Sequence, residues 1–156
     1  MAISVKPIAL WRREIQDRPG ALAESLAPLA DASVNVTILM AYRIPGQAGH
    51  GAVELFPVSG KRATAAAERG GFSASSIPAL LVEGDDSPGL GSRLSRAIAE
   101  TGINLDFVVA QVVARRYSAV FGFGDEESAR RAVAVIKKAA SAGARRPAAA
   151  RSSKRR

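Results

Sequence analysis

Apolar residues recur along this chain in two rhythms, one helical and one extended. Leu22, Leu26 and Leu29 stand at i, i+4 and i+7, a single stripe on a helix spanning residues 21–32. Val36, Ile38, Met40 and Tyr42 then occupy every second position, the pattern of a strand buried on one face. Upstream, residues 8–16 read as a strand, which Pro19-Gly20 ends. Pro28 falls inside the helical stripe, removes one backbone bond and predicts a kink or an early end. A loop over residues 45–51 leads to a hairpin partner at 52–58. A short helix at 62–69 then passes through Gly70-Gly71 into a strand at 72–77.

The second half repeats this order. Residues 79–83 predict a strand and residues 86–89 a turn, with Leu90, Leu94 and Ile98 marking a helix face. Gly102 stands where a helix C-terminus needs a cap. Strands follow at 104–113 and 117–123. Asp125 then caps a helix with Glu126 and Glu127 in its first turn and Lys137 and Lys138 in its last, charges that complement the helix dipole. Ala129, Ala132, Val133 and Ile136 form its buried face. Residues 141–144 contain no β-branched side chain from which to build a further strand.

A shift of 69 residues lays Asp17-Arg18-Pro19-Gly20 on Asp86-Ser87-Pro88-Gly89, Asn35 on Asn104, Val36 on Leu105 and Ile38 on Phe107. The identities sit at turns, where a particular backbone is demanded. The predicted fold class is α+β: two tandem ferredoxin-like βαββαβ modules with antiparallel sheets, the last strand of the second left open. Module 1 covers residues 1–77, module 2 residues 78–142, and a tail residues 143–156. Open sheet edges predict pairing, as a homodimer.

Asp-x-Pro-Gly, an apolar helix and Asn-[Val/Leu] at the next strand, in two copies, resemble the ACT domain family, and most of all stand-alone tandem ACT proteins. The likeness covers residues 8–140. It implies an amino acid held at the turn between first strand and first helix, usually at a module interface, and an enzyme of amino-acid metabolism as a partner. In such proteins the last strand of copy one runs into the first of copy two, and residues 72–83 fit that join but for Pro78. Carried over, the ligand-binding positions are Asp17, Pro19, Gly20, Ala21 and Asn35 in copy one and Asp86, Pro88, Gly89, Leu90 and Asn104 in copy two. Both asparagines are expected beside their turns, and the two copies carry equal weight. The chemistry is sound on elementary grounds. The first amides of a helix attract a carboxylate, and an adjacent aspartate accepts bonds from an α-ammonium.

Composition narrows the alternatives. The chain has no cysteine, so disulfides, thiolate metal sites and a cysteine nucleophile are excluded. The apolar run Ile8–Trp11 meets Arg12, Arg13 and Glu14 at once, too short for a signal peptide or membrane span, and the expected location is cytoplasmic. No catalytic set, cofactor motif or metal-ligand cluster is spaced for use. His50, the one histidine, reads as surface, and Trp11 and Phe107 read as core.

The net charge of +8 resides mostly in the tail, which carries six of the 22 basic residues and no acid. Its Ala, Ser, Pro and Arg composition predicts disorder and weak polyanion contact. A nucleic-acid-associated protein is therefore a second reading, and a purely structural dimerisation module a third. Deleting residues 143–156 is expected to leave the melting temperature nearly unchanged while abolishing retention on heparin. Unfolding of the second module on truncation would instead make the tail its missing strand.

Overall fold

The first strand of the chain belongs to the second half's sheet. In the computed structural model, which describes residues 3–143, β1 (Ser4–Ile8) pairs with β6 (Ala79–Asp85). The described backbone divides into two units, Ile8–Ala79 and residues 3–7 with 80–143. Residues 3–7, expected in the first module, thus lie with the second.

In the unit of residues 8–79 the elements run β2 (Trp11–Gln16), α1 (Ala21–Asp31), β3 (Ile38–Arg43), β4 (His50–Phe56), α2 (Gly60–Arg69) and β5 (Ser73–Ala74). The sheet order is β3-β4-β2-β5, the ferredoxin-like arrangement with two central strands between the hairpin partner and the closing strand. Trp11 lies opposite Leu55 and Arg13 opposite Val53 in the β2–β4 ladder. Leu29, Val53, Leu55, Ala67 and Phe72 form the core, with Trp11 packed against it. The period-two reading of residues 36–42 appears as alternating half-buried or buried and exposed positions. Pro28 does not end α1. Backbone bonds from Ala32 N–H to Pro28 O and Val34 N–H to Leu29 O carry the turn past it. The strand expected over residues 72–77 is only the two-residue β5, so no continuous strand joins the copies.

The second unit runs β6, α3 (Leu90–Ala99), β7 (Leu105–Val113), β8 (Arg116–Phe123) and α4 (Glu126–Gly143). Its sheet order, β1-β6-β8-β7, has β1 in the position of the fourth strand. The core gathers Leu80, Val82, Leu94, Ile98, Phe121 and Ile136, and Val5 of β1 joins it. The carboxylate of Asp125 accepts from Ser128 N–H at 2.7 Å, the expected cap. Lys137 and Lys138 are not in the last turn, because alanine-rich sequence carries α4 on to Gly143. The tail lies outside the described residues.

β1 approaches β6 closely at Gly84, where a Cβ would stand 2.6 Å from Ile3 Cγ1 and 3.1 Å from Ile3 Cα. Gly84→Val is expected to push the terminal strand off and destabilise this unit by about 1–2 kcal/mol. A thermal melt should register that loss, and an unchanged midpoint would mean that β1 contributes nothing to the sheet's stability.

Candidate functional site

Both Asp-x-Pro-Gly segments form the same backbone structure. Gly20 and Gly89 are the N-caps of α1 and α3 and take φ of +86° and +77°, the left-handed region where glycine meets no Cβ penalty. Neither helix has a side-chain cap bond. Ala21 N–H returns to Arg18 O at 3.3 Å and Leu90 N–H to Ser87 O at 3.0 Å. The first amides that point out of the helices are therefore those of the following residues, Leu22 and Ala23 in one copy and Gly91 and Ser92 in the other.

Each aspartate also ties its turn to a hairpin. Asp17 N–H donates to Gly49 O and Asp86 N–H to Arg115 O, both at 2.9 Å. In copy two the acceptor lies at the tip between β7 and β8, so strand-to-helix turn and hairpin are one bonded unit.

The side chains over the two turns differ. In copy one, Arg18 and Glu24 form a bidentate pair across the turn, with Nη1–Oε1 at 2.9 Å and Nη2–Oε2 at 2.6 Å. Glu24 Oε1 lies only 3.7 Å from where a Cβ on Gly20 would be, so a carboxylate of the chain itself stands at the N-terminus of α1. The Arg18 guanidinium holds the Glu24 carboxyl below its ordinary value. Asp17 is paired with Arg43, Nε–Oδ2 at 2.7 Å. In copy two, Arg93 of α3 folds back over the turn. Its Nη1 donates to Pro88 O at 2.9 Å and its Nη2 to Ser87 Oγ at 2.8 Å. Its Nε is shut off from solvent without a hydrogen-bond partner. Copy one is internally neutralised, while copy two offers a cation beside open amides.

Other predicted positions separate from the turns. Asn35 follows the C-terminal end of α1, about 16 Å along the helix axis from Gly20 at 1.5 Å per residue. It lines a groove of about 390 Å³ with Ser33, Ser59, Lys61 and Arg62 instead. Asn104 likewise lies beyond the far end of α3 and is exposed. A strand that follows a helix begins where the helix ends, so these asparagines stand at the opposite end of each module from the turns. The Leu90 side chain is 3% exposed and belongs to the core, leaving only its backbone at the turn.

A buried polar cluster escaped the sequence reading. Arg12 and Glu54 are cross-strand partners on β2 and β4, and Glu54 is fully buried. Arg12 Nη1 approaches Glu54 Oε1 at 3.5 Å and Tyr42 O–H donates to Glu54 Oε2 at 3.3 Å. Burial pushes the Glu54 carboxyl above its ordinary value, against the opposing pull of Arg12 and Tyr42. An acid among Val53 and Leu55 carries no spacing signal, because its partners come from two other strands.

Among the described residues no group of three or more His, Asp or Glu could hold a metal. No described helix is long and apolar enough to cross a membrane. No family model matches the chain, and no curated protein does. Solved structures do. A Bacteroides thetaiotaomicron protein is similar at TM-score 0.67 and 15% identity, over 86% of this chain and 89% of that one. The ligand-free regulatory subunit of aspartate kinase from Thermus thermophilus is similar at TM-score 0.59 and 20% identity, over 89% and 97%. Clostridium acetobutylicum aspartate kinase, described as an allosteric enzyme, is similar at TM-score 0.57 and 13% identity, over 88% of this chain and 34% of that one. At these identities the likeness shows the fold alone, two tandem ferredoxin-like βαββαβ modules.

Proposed function

We propose that this chain is a non-catalytic regulatory protein that binds an amino acid, with the β6–α3 turn as its principal site and a metabolic enzyme as the partner it regulates. Arg93 carries the reading: it is a guanidinium held over a left-handed glycine and the outward amides of α3, with an Nε that lacks a partner. A ligand carboxylate would accept from Arg93 and from the Gly91 and Ser92 amides, and Asp86 would receive the ammonium. Similarity in fold to a subunit named as regulatory supports a role in control rather than catalysis.

Calorimetry against the twenty amino acids tests the proposal. Arg93→Ala and Asp86→Ala are expected to weaken binding of the best ligand by about 1.5–3 kcal/mol, and Gly89→Asp to abolish it. Asp17→Ala and Gly20→Asp should change it little, because Glu24 already occupies that helix N-terminus. Equal losses in both copies would overturn the ranking of the sites. No binding by the wild type would leave the structural dimerisation module as the reading.

A further inference from the structure

We infer that the groove where β5 parts from β2 binds a small phosphate monoester, with Arg13 as the cation that anchors it. β5 pairs only with Trp11 and Arg12, while β2 runs on to Gln16. Beside Arg13 and Glu14 the two segments are therefore no longer bonded, and a groove of about 370 Å³ opens there. Arg13, Gly71, Ser73, Ser75 and Ser76 line it. It lies wholly within the unit of residues 8–79 and shares no residue with the β6–α3 turn, so the inference does not rest on the amino-acid site.

Arg13 is held in place before any ligand arrives. Its Nη1 donates to Gly70 O at 2.6 Å. Its guanidinium lies against Gly71, where an added Cβ would stand 3.1 Å from Nε and 3.3 Å from Cζ. Gly71 also takes φ +78°, so backbone and space both call for glycine beneath the arginine. A fork fixed in this way loses little freedom when it grips an anion. Its charge is also unanswered, for no carboxylate among the described residues pairs with it. Arg13 helps to lower the Glu24 carboxyl, but both oxygens of Glu24 are taken by Arg18. The neighbouring Arg12 is committed to Glu14, Tyr42 and Glu54.

The hydroxyls define the class of anion. Ser75 Oγ accepts from Ile77 N–H at 3.2 Å, which leaves its own proton to donate. Ser73 and Ser76 make no side-chain hydrogen bond among the described residues. Three hydroxyls and the rest of the Arg13 fork exceed what the two oxygens of a carboxylate can use. They suit the three terminal oxygens of a phosphate monoester, whose charge of −1.5 to −2 calls for such donors. Glu14 also lines the groove, but its carboxylate is answered by Arg12 Nη2 at 3.2 Å. The space beyond the phosphate takes a small polar remainder.

Amide NMR of the full chain tests the site, with inorganic phosphate and glycerol phosphate as probes and ionic strength held constant. Both should give saturable shifts at Arg13, Gly71, Ser73, Ser75 and Ser76, and acetate should bind more weakly. Arg13→Lys keeps the charge but loses the fork, and should weaken glycerol phosphate binding roughly tenfold or more. Ser73→Ala and Ser76→Ala should each weaken it less, with spectra otherwise like those of wild type. Arg93→Ala should leave these titrations unchanged, which separates this site from the amino-acid site. Shifts that do not saturate, acetate binding as tightly as phosphate, undiminished binding by Arg13→Lys, or shifts centred on residues 89–93 would each overturn the assignment.

Discussion

Arg12→Ala is expected to cost the first unit about 3 kcal/mol, the largest effect of any single side-chain truncation outside its apolar core. The loss does not measure the strength of an ion pair. It measures what remains, a fully buried Glu54 carboxyl with only Tyr42 to answer it. The Arg12 side chain is 22% exposed, which keeps the figure at the lower end of the range for broken buried pairs. Glu54→Gln keeps the shape and removes the charge, so the double variant should recover most of the loss. The pH dependence follows from the direction of the Glu54 shift. Its carboxyl titrates higher in the folded protein than in the unfolded chain, so the native state takes up the proton first as pH falls. Wild type should therefore gain stability relative to Glu54→Gln as pH drops from the folded value toward the ordinary 4.5. The gain should be larger in the Arg12→Ala background, where nothing cationic opposes the shift. Urea titrations of the four proteins between neutral pH and pH ~4.5 would measure it, and parallel curves for wild type and Glu54→Gln would remove the electrostatic account.

How far the sequence reveals the structure depends on which residues signal. Asp-x-Pro-Gly was readable because a left-handed cap needs glycine, and both glycines take that conformation. The stripe of Leu90, Leu94 and Ile98 was readable because all three are buried. β1 was not, since in Ser-Val-Lys-Pro-Ile only Val5 is buried, and Pro7 is tolerated because the strand lies on an edge. The difference between the two turns was equally hidden. Glu24 and Arg93 both stand at the fourth position of their helices, and only their fold-back shows one neutralising its turn and the other leaving it cationic. Phe107 reads as core and is half-buried, because its ring lies over Gly122 on β8, where an added Cβ would stand 2.3 Å from Cε1.

Two glycine-to-alanine substitutions are expected to shift stability in opposite directions. Gly70 takes φ −75° and ψ 1°, which alanine adopts freely, so its backbone makes no demand for glycine. The demand is for room. A Cβ there would lie 2.8 Å from Ser25 O of α1, 3.2 Å from Phe72 Cδ2 and 3.3 Å from Ala67 O. The nearest neighbour is backbone in a helix that cannot swing aside, and Ser25 is itself fully buried, its hydroxyl bonded to Ala21 O. Gly70 O also accepts from Arg13 Nη1 at 2.6 Å, so moving α2 away from α1 breaks a second contact. Gly70→Ala should cost about 3 kcal/mol, the upper end for overpacking. Gly91 lies in the first turn of α3, with nothing within 4 Å of an added Cβ. There Gly→Ala removes only unfolded-state freedom and should gain about 0.5 kcal/mol. Urea midpoints of the two variants decide the matter. A Gly70→Ala protein as stable as wild type would show that α1 and α2 are not held at the separation described.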